Sequence, residues 1–175
     1  MLLSNKTGNG FEVIVRPHPQ FTSMFPERMK ALSERYADYT SSGEIIFELD
    51  FSGNESIFTS DLLITDWSGI AIEFSYCSLR PCIFINSPMK VMNPNYKQYG
   101  LDVLEIDVRD KLGVSVDLDN LNELGNIATR LISDKDAYKV QIEEFLKDKV
   151  FHPGRSGEAG GKYIISQLNK KRDIK

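Results

Sequence analysis

The fold is decided by one stretch, Ser60-Asp61-Leu62-Leu63-Ile64-Thr65-Asp66-Trp67-Ser68-Gly69-Ile70-Ala71-Ile72-Glu73-Phe74. Its apolar run predicts a strand over 61–65 that is buried on both faces. The polar residues that follow predict a turn, and the apolar spacing beyond them predicts a helix over 69–78 with Ser68 or Asp66 near its cap. Phosphates bind in α/β proteins where a buried strand breaks into such a turn, because free amides meet the positive end of the helix dipole there. The same pattern also fits a purely structural segment, in which a capped helix follows a core strand and no ligand is bound.

Strands and helices alternate along the rest of the chain. The apolar patterns predict strands at 11–15, 45–49, 61–65 and 82–85, and helices at 22–38, 69–78, 119–133, 134–149 and from the glycine-rich turn to about 169. Residues 86–100 are expected to form a long irregular loop, and periodicity does not decide between structures for 101–116. Such alternation predicts a parallel sheet with right-handed crossovers. The expected fold class is therefore α/β, a Rossmann-like parallel sheet flanked by helices.

Composition is typical of a single globular domain. The chain has 175 residues, 41% of them hydrophobic, and a formal net charge of −4, which argues against a general nucleic-acid or membrane-surface binder. Residues 1–10 are expected to be a linker or a disordered lead-in, 11–170 the domain, and 171–175 a basic tail. Cys77 and Cys82 have no histidine beside them, so we expect two buried thiols and no metal site.

Three polar segments are candidates for one site. His18 follows the first predicted strand between Pro17 and Pro19, Thr65 to Gly69 follow the third, and Ser156-Gly157 begin a glycine-rich turn before the last helix. Loops that follow parallel strands share one rim of the sheet, so we expect the first two segments to lie together. A returning last helix would add a third anion-binding segment.

Each candidate has a structural alternative. A histidine in a loop is commonly exposed and without a catalytic role. Asp66 suits either a general base or a helix cap, and Trp67 suits either stacking on a nucleobase or filling the core. Glu73 suits either a solvent-exposed helix face or a hydrogen bond with a ribose hydroxyl.

In combination, the segments resemble a known family. The motifs that carry the resemblance are Arg16-Pro17-His18-Pro19, Ser60-Asp61-x-Leu63-Ile64-Thr65-Asp66-Trp67-Ser68 with Glu73-Phe74, and Arg80-Pro81-x-Ile83-Phe84, with weaker echoes at Tyr96-x-x-Tyr99-Gly100, Leu112-Gly113 and Gly157-Glu158-Ala159. In this order they resemble the C-terminal half of CDP-glycerol glycerophosphotransferases, the teichoic-acid primases and polymerases of cell-wall biosynthesis. The resemblance covers about residues 11–170 and implies one half of a GT-B architecture, which has two Rossmann-like domains.

The resemblance implies roles for the candidate residues. His18 would contact the donor pyrophosphate and take part in catalysis, and Thr65 and Ser68 would bind phosphate oxygens. We expect five further residues in the donor-phosphate site, namely Arg16, Asp66, Gly69, Ser156 and Gly157. Trp67 and Glu73 are expected to bind the nucleoside. No cofactor is implied beyond a CDP-linked donor as substrate.

The predicted function is that of a donor-nucleotide-binding domain of a transferase. The enzyme would move glycerophosphate, or a similar polyol phosphate, from CDP-glycerol or a related nucleotide donor to a cell-surface polymer. Its acceptor site belongs to an N-terminal domain, so this chain by itself is expected to be an incomplete, inactive half. A nucleotide-sugar glycosyltransferase, a 2-epimerase-like domain and a non-catalytic nucleotide-binding domain remain alternatives. The expected location is cytoplasmic. Related enzymes act at the inner face of the membrane, and we expect peripheral attachment to the membrane only through the full-length protein.

Overall fold

Six strands form one sheet in the computed structural model, which describes residues 2–7, 10–89, 93–100 and 103–172. The strands are β1 (Leu2–Thr7), β2 (Gly10–Val15), β3 (Ile45–Phe47), β4 (Leu62–Thr65), β5 (Cys82–Asn86) and β6 (Gly113–Asp117). The helices are α1 (Pro19–Met24), α2 (Pro26–Arg35), α3 (Ala37–Ser41), α4 (Glu55–Thr59), α5 (Ile70–Ser78), α6 (Leu104–Asp107), α7 (Arg109–Leu112), α8 (Leu124–Ser133), α9 (Lys135–Lys149) and α10 (Ser156–Arg172). Two 3-10 helices lie at Tyr96–Tyr99 and Leu118–Glu123.

The strand order is β3-β2-β1-β4-β5-β6. Strand β1 pairs antiparallel with both β2 and β4, whereas β2 with β3, β4 with β5, and β5 with β6 are parallel. Both neighbours of β1 therefore run in the same direction, and their carboxyl ends meet at one edge. On one side of β1 the sheet continues with β2 and then β3, and on the other side it continues with β4, β5 and then β6. The direction in which successive strands are added therefore reverses at β1. This reversal is where open α/β sheets bind ligands. The α/β, Rossmann-like class is confirmed.

The core covers both faces of β4 and β5. On one face Leu62 and Ile83 pack with Leu131 of α8. On the other, Phe74 of α5 is fully buried, and the Cys82 Sγ lies 3.3 Å from the Ser75 Oγ. Burial of the apolar residues on both faces explains why these strands read as continuous apolar runs in the sequence.

Gly113 is required where β6 begins. A Cβ atom at this position would lie 1.8 Å from the carbonyl oxygen of Cys82 on the neighbouring strand. Real Cβ atoms do not approach backbone so closely, so any larger residue would push β6 away from β5. The Leu112-Gly113 pair noticed in the sequence thus has a packing reason for its glycine.

The structure differs from the sequence-based expectations in several elements. The expected lead-in contains β1, the expected helix 22–38 is divided into α1, α2 and α3, and residues 113–117 form β6. The first division follows from Pro26, because a proline lacks the amide hydrogen that would continue α1 and restricts the residue before it. Cys77 is exposed, so the expectation of two buried thiols is wrong for it.

The chain divides into two units, Met1–Ile142 and Glu143–Lys175. The first holds the sheet and the residues discussed above. The second holds the end of α9 and all of α10, and each unit is described by itself.

Candidate functional site

A pocket of about 550 Å³ lies at the carboxyl ends of β2 and β4. Its walls come from the residues that follow β2, the loop after β3, helix α4 and the β4–α5 turn. The lining residues are Arg16, Pro17, His18, Pro19, Phe51, Asn54, Ile57, Thr65, Asp66, Trp67, Ser68, Ile70 and Glu73. The structure therefore brings the segments around His18 and Thr65–Ser68 together at one rim, as the sequence predicts.

His18 has a defined backbone and a defined hydrogen-bonding state. It is the N-cap of α1, with extended backbone at φ −63° and ψ 136°, and Pro19 occupies the first helical position. The Gln20 amide donates a hydrogen bond of 3.1 Å to the His18 Nδ1. Because Nδ1 is the acceptor, the neutral imidazole carries its proton on Nε2. His18 can therefore donate an Nε2–H hydrogen bond to a ligand oxygen.

Arg16 lines the same pocket but is bonded within the protein. Its Nη1 donates to the Glu48 Oε2 at 2.6 Å, and its Nη2 donates to the Gly53 carbonyl at 2.8 Å and to the Asn54 Oδ1 at 3.0 Å. The residue is 8% exposed, and Glu48 also accepts from Ser56. This ion pair offsets the charge of Arg16 and ties β2 to the loop after β3. A direct contact of Arg16 with donor phosphate stays a prediction.

The turn between β4 and α5 presents unpaired backbone amides. Within the described residues, the amides of Trp67, Ser68, Gly69 and Ile70 donate no hydrogen bond to the protein. The N-cap of α5 is Gly69, directly after Ser68, and no side chain caps it, so the alternative in which Asp66 acts as the helix cap is wrong. Since the amides are left to external partners, the turn has the donor geometry of an anion-binding helix terminus.

Two carboxylates also line the pocket. Asp66 and Glu73 are both exposed, and Asp66 accepts a long hydrogen bond of 3.4 Å from the Ser87 hydroxyl. With Arg16 paired to Glu48, the charged groups in the lining leave the wall acidic. Carboxylates accept hydrogen bonds from hydroxyl groups and repel phosphates, so they favour a ligand that carries hydroxyls beside its phosphates.

Trp67 is held between two neighbours. Its Nε1 donates to the Ser87 carbonyl at 2.7 Å, and the Arg109 guanidinium carbon lies 4.0 Å from its ring centroid. The side chain is half-buried and lines the pocket. The ring therefore packs against the protein, as expected for a core residue, and it also lines the pocket, where stacking on a nucleobase stays a prediction.

Gly69 is not among the residues that line this pocket, and Ser156 and Gly157 belong to the second unit, which is described by itself. Gly69 lies at the edge of the turn as the N-cap of α5. Ser156 and Gly157 begin α10 in the second unit, where the Ser156 hydroxyl donates to the His152 carbonyl at 3.0 Å. Their part in phosphate binding stays a prediction.

Several lining residues were not identified from the sequence. Phe51 and Asn54 follow β3, whose carboxyl end lies at the same rim, and this position was the signal that could have identified them. Arg109, which does not line the pocket but contacts Trp67, was also not identified, since it lies in residues for which periodicity gave no assignment. Only the tertiary structure shows its contact with Trp67.

The fold and pocket define a class of protein, an α/β domain with a pocket at the switch point of its sheet, lined in part by a strand-to-helix turn. Residues 2–104 match the family described as CDP-Glycerol:Poly(glycerophosphate) glycerophosphotransferase, and this match covers more than half of the chain. The chain belongs to this family of transferases. Comparisons with curated proteins and with solved structures gave no significant match. Among the described residues, we find no helix with the length and apolar character needed to cross a membrane.

Proposed function

We propose that this chain is the donor-nucleotide-binding domain of a GT-B transferase and binds a CDP-linked polyol, such as CDP-glycerol, in the pocket at the carboxyl ends of β2 and β4. The transferase would move glycerophosphate, or a similar polyol phosphate, to a cell-surface polymer. The observation that carries the proposal is that His18 lines one pocket together with Trp67, Ser68 and Ile70, whose backbone amides donate no hydrogen bond within the described protein. In a GT-B enzyme the acceptor site belongs to the other domain, so the proposal assigns donor binding to this chain.

The diphosphate would lie against the β4–α5 turn. Its oxygens would accept hydrogen bonds from the turn amides, the Ser68 hydroxyl and the His18 Nε2–H, and the positive end of the α5 dipole would favour their charge. Within the described residues, neither Ser68 Oγ nor His18 Nε2 donates to another protein group, so both are available for this contact. Glu73, three residues into α5, would accept from the ribose hydroxyls.

The same contacts would assist transfer. As the phosphoanhydride bond to the polyol phosphate breaks, negative charge develops on the departing nucleotide phosphate. Fixed N–H donors at the turn and at His18 stabilise that charge without reorganising during the reaction. His18 would act as a hydrogen-bond donor to the leaving group, because its Nδ1 already accepts from Gln20.

A nucleotide panel tests the proposal. The chain is titrated with CDP, UDP, GDP and CMP by calorimetry, with Ser68→Ala as the site variant and Ser133→Ala as a matched control on α8. We expect CDP to bind more tightly than the other three nucleotides, and Ser68→Ala alone to weaken it. A preference for UDP would instead favour a nucleotide-sugar glycosyltransferase or 2-epimerase-like domain. No response to any nucleotide would contradict nucleotide binding altogether.

A further inference from the structure

Arg109 is a buried cation outside the pocket lining. It is 4% exposed at the start of α7, its Nη2 donates to the Asn86 Oδ1 at 2.7 Å, and its Nε donates to the Ser115 Oγ at 3.2 Å. Among the described residues, the Nη1 atom has no hydrogen-bond partner although it is buried. A buried charge with a missing hydrogen bond is unfavourable, so its position calls for a compensating contact.

That contact is with aromatic rings. The guanidinium carbon lies 4.0 Å from the centroid of the Trp67 ring and 5.0 Å from that of Phe84. A guanidinium over an aromatic face is attracted by the ring quadrupole, most strongly over tryptophan and more when both groups are desolvated. Burial lowers the pKa of Arg109, while the charges of Asp110 and Asp66 raise it.

These contacts fix the indole of Trp67 in two ways. Its ring nitrogen is bonded to the Ser87 carbonyl at 2.7 Å, which sets the position of one edge, and Arg109 covers one face. A flat ring has only two faces, so a ligand can stack only on the face that Arg109 leaves uncovered. Trp67 lines the pocket, and Arg109 does not.

We propose that Arg109 is a positioning residue for nucleobase binding, holding Trp67 by one face so that the other face stacks on the pyrimidine ring of the nucleotide. The inference rests on the proposed function and extends it to the base. Because stacking depends on a π face and not on particular hydrogen bonds, this arrangement would raise affinity for the base without choosing between cytosine and uracil. Asn86 and Ser115 would in turn hold Arg109 over the ring.

The experiment uses the full chain and its single tryptophan as a reporter. Arg109→Met removes the charge but keeps the length of the side chain, Arg109→Lys keeps the charge but loses the planar group, and Arg130→Met removes an exposed cation from α8 as the control. Each protein is titrated with CDP and with inorganic pyrophosphate. Acrylamide quenching of Trp67 fluorescence is measured without ligand.

We expect Arg109→Met to weaken CDP binding by roughly tenfold or more, while pyrophosphate affinity stays within about twofold of the unsubstituted chain. Trp67 should also become more accessible to acrylamide, and Arg109→Lys should show a smaller version of both effects. If CDP and pyrophosphate lose affinity equally, Arg109 acts through charge and the inference is wrong. Unchanged CDP affinity and quenching would overturn it as well, with the proposed function intact.

The unsubstituted chain separates the two proposals. If it binds neither CDP nor pyrophosphate, the proposed function fails, and base stacking fails with it. If it binds pyrophosphate as tightly as CDP, phosphate binding at the turn stands while the base contact through Trp67 is excluded. Arg130→Met should match the unsubstituted chain in every titration. If Arg130→Met instead loses as much CDP affinity as Arg109→Met, the role proposed for Arg109 is not specific to it and is excluded.

Discussion

The Nδ1 atom of His18 accepts a hydrogen bond of 3.1 Å from the backbone amide of Gln20. This local contact closes the first turn of α1 and leaves the other ring nitrogen, Nε2, to carry the proton. In the tautomer that keeps the Gln20 bond, the Nε2–H group of His18 is left to donate a hydrogen bond to a ligand.

We predict that His18→Ala weakens CDP binding by about 10- to 100-fold, because one strong hydrogen bond to a charged oxygen is lost. His18→Gln should lose less, since its amide places an N–H group near the position of Nε2. Calorimetry on both variants checks this prediction. Ser23→Ala, on the same helix and outside the pocket, is the control, and equal affinity of His18→Ala and Ser23→Ala would remove His18 from the site.

Ser68→Ala is expected to separate phosphate binding from helix capping. Affinity for CDP should fall, while affinity for cytidine stays unchanged, because the hydroxyl is assigned to phosphate. Since no side chain caps α5, the free energy of unfolding should change by less than about 0.5 kcal/mol. Urea denaturation and paired titrations measure the two quantities. A loss of about 1 kcal/mol of stability with equal losses for both ligands would indicate a capping role.

Arg16 is predicted to act mainly through stability. Arg16→Met leaves the partly buried carboxylate of Glu48 without its cation, so the free energy of unfolding should fall by about 2–4 kcal/mol. The double variant Arg16→Met with Glu48→Met should recover part of this loss, because no unpaired charge then remains. If Arg16→Met instead keeps its stability and loses CDP binding, Arg16 contacts the phosphate directly.

The Cys82 thiol gives a pH dependence of stability. Burial raises the pKa of this thiol from 9.0 to about 12, although the Ser75 hydrogen bond opposes the rise. Between about pH 9 and pH 12 the folded state therefore keeps a proton that the unfolded state loses. The contribution of the protonated thiol to the free energy of unfolding is complete below pH 9 and is lost progressively up to about pH 12. The slope from this one group is about −1.4 kcal/mol per pH unit.

The measurement is the free energy of unfolding across that range in three proteins. The unsubstituted chain and Cys77→Ala should show the slope, because Cys77 is exposed, and Cys82→Ala should show a shallower one. A thiol reagent should modify Cys77 in the folded protein and Cys82 only after unfolding. Equal slopes in all three proteins would show that Cys82 does not titrate as the structure indicates.

The sequence predicted the parts of the fold that have strong local signals. The apolar run before Thr65 and the polar turn after it gave β4, α5 and the site at their junction, because burial on both faces leaves a continuous apolar strand. Strand β1 gave no such signal. Its pairing on both sides uses backbone groups, and Ser4 to Thr7 are polar.

The position of the candidate residues was predicted in part for a related reason. His18 and Ser68 were expected at one rim because each follows a strand, and parallel strands bring their carboxyl ends to the same edge. Arg109 was missed because its proposed role depends on a contact with Trp67, 42 positions away in the numbering. Likewise, nothing local in the sequence indicates that Arg16 would be bonded to Glu48.

The central claim, that this pocket is the donor site, is tested most directly by mapping the residues that a CDP-linked donor contacts. An isotopically labelled chain is titrated with CDP-glycerol, and the shifts of its backbone amide signals are followed by NMR. We predict that the largest shifts fall at Arg16, at His18 and at residues 67–70, together with the Trp67 indole signal, and that Ser68→Ala reduces them. Saturating CDP-glycerol that leaves these signals in place, or that shifts a different set of residues, would contradict the assignment of this pocket as the donor site.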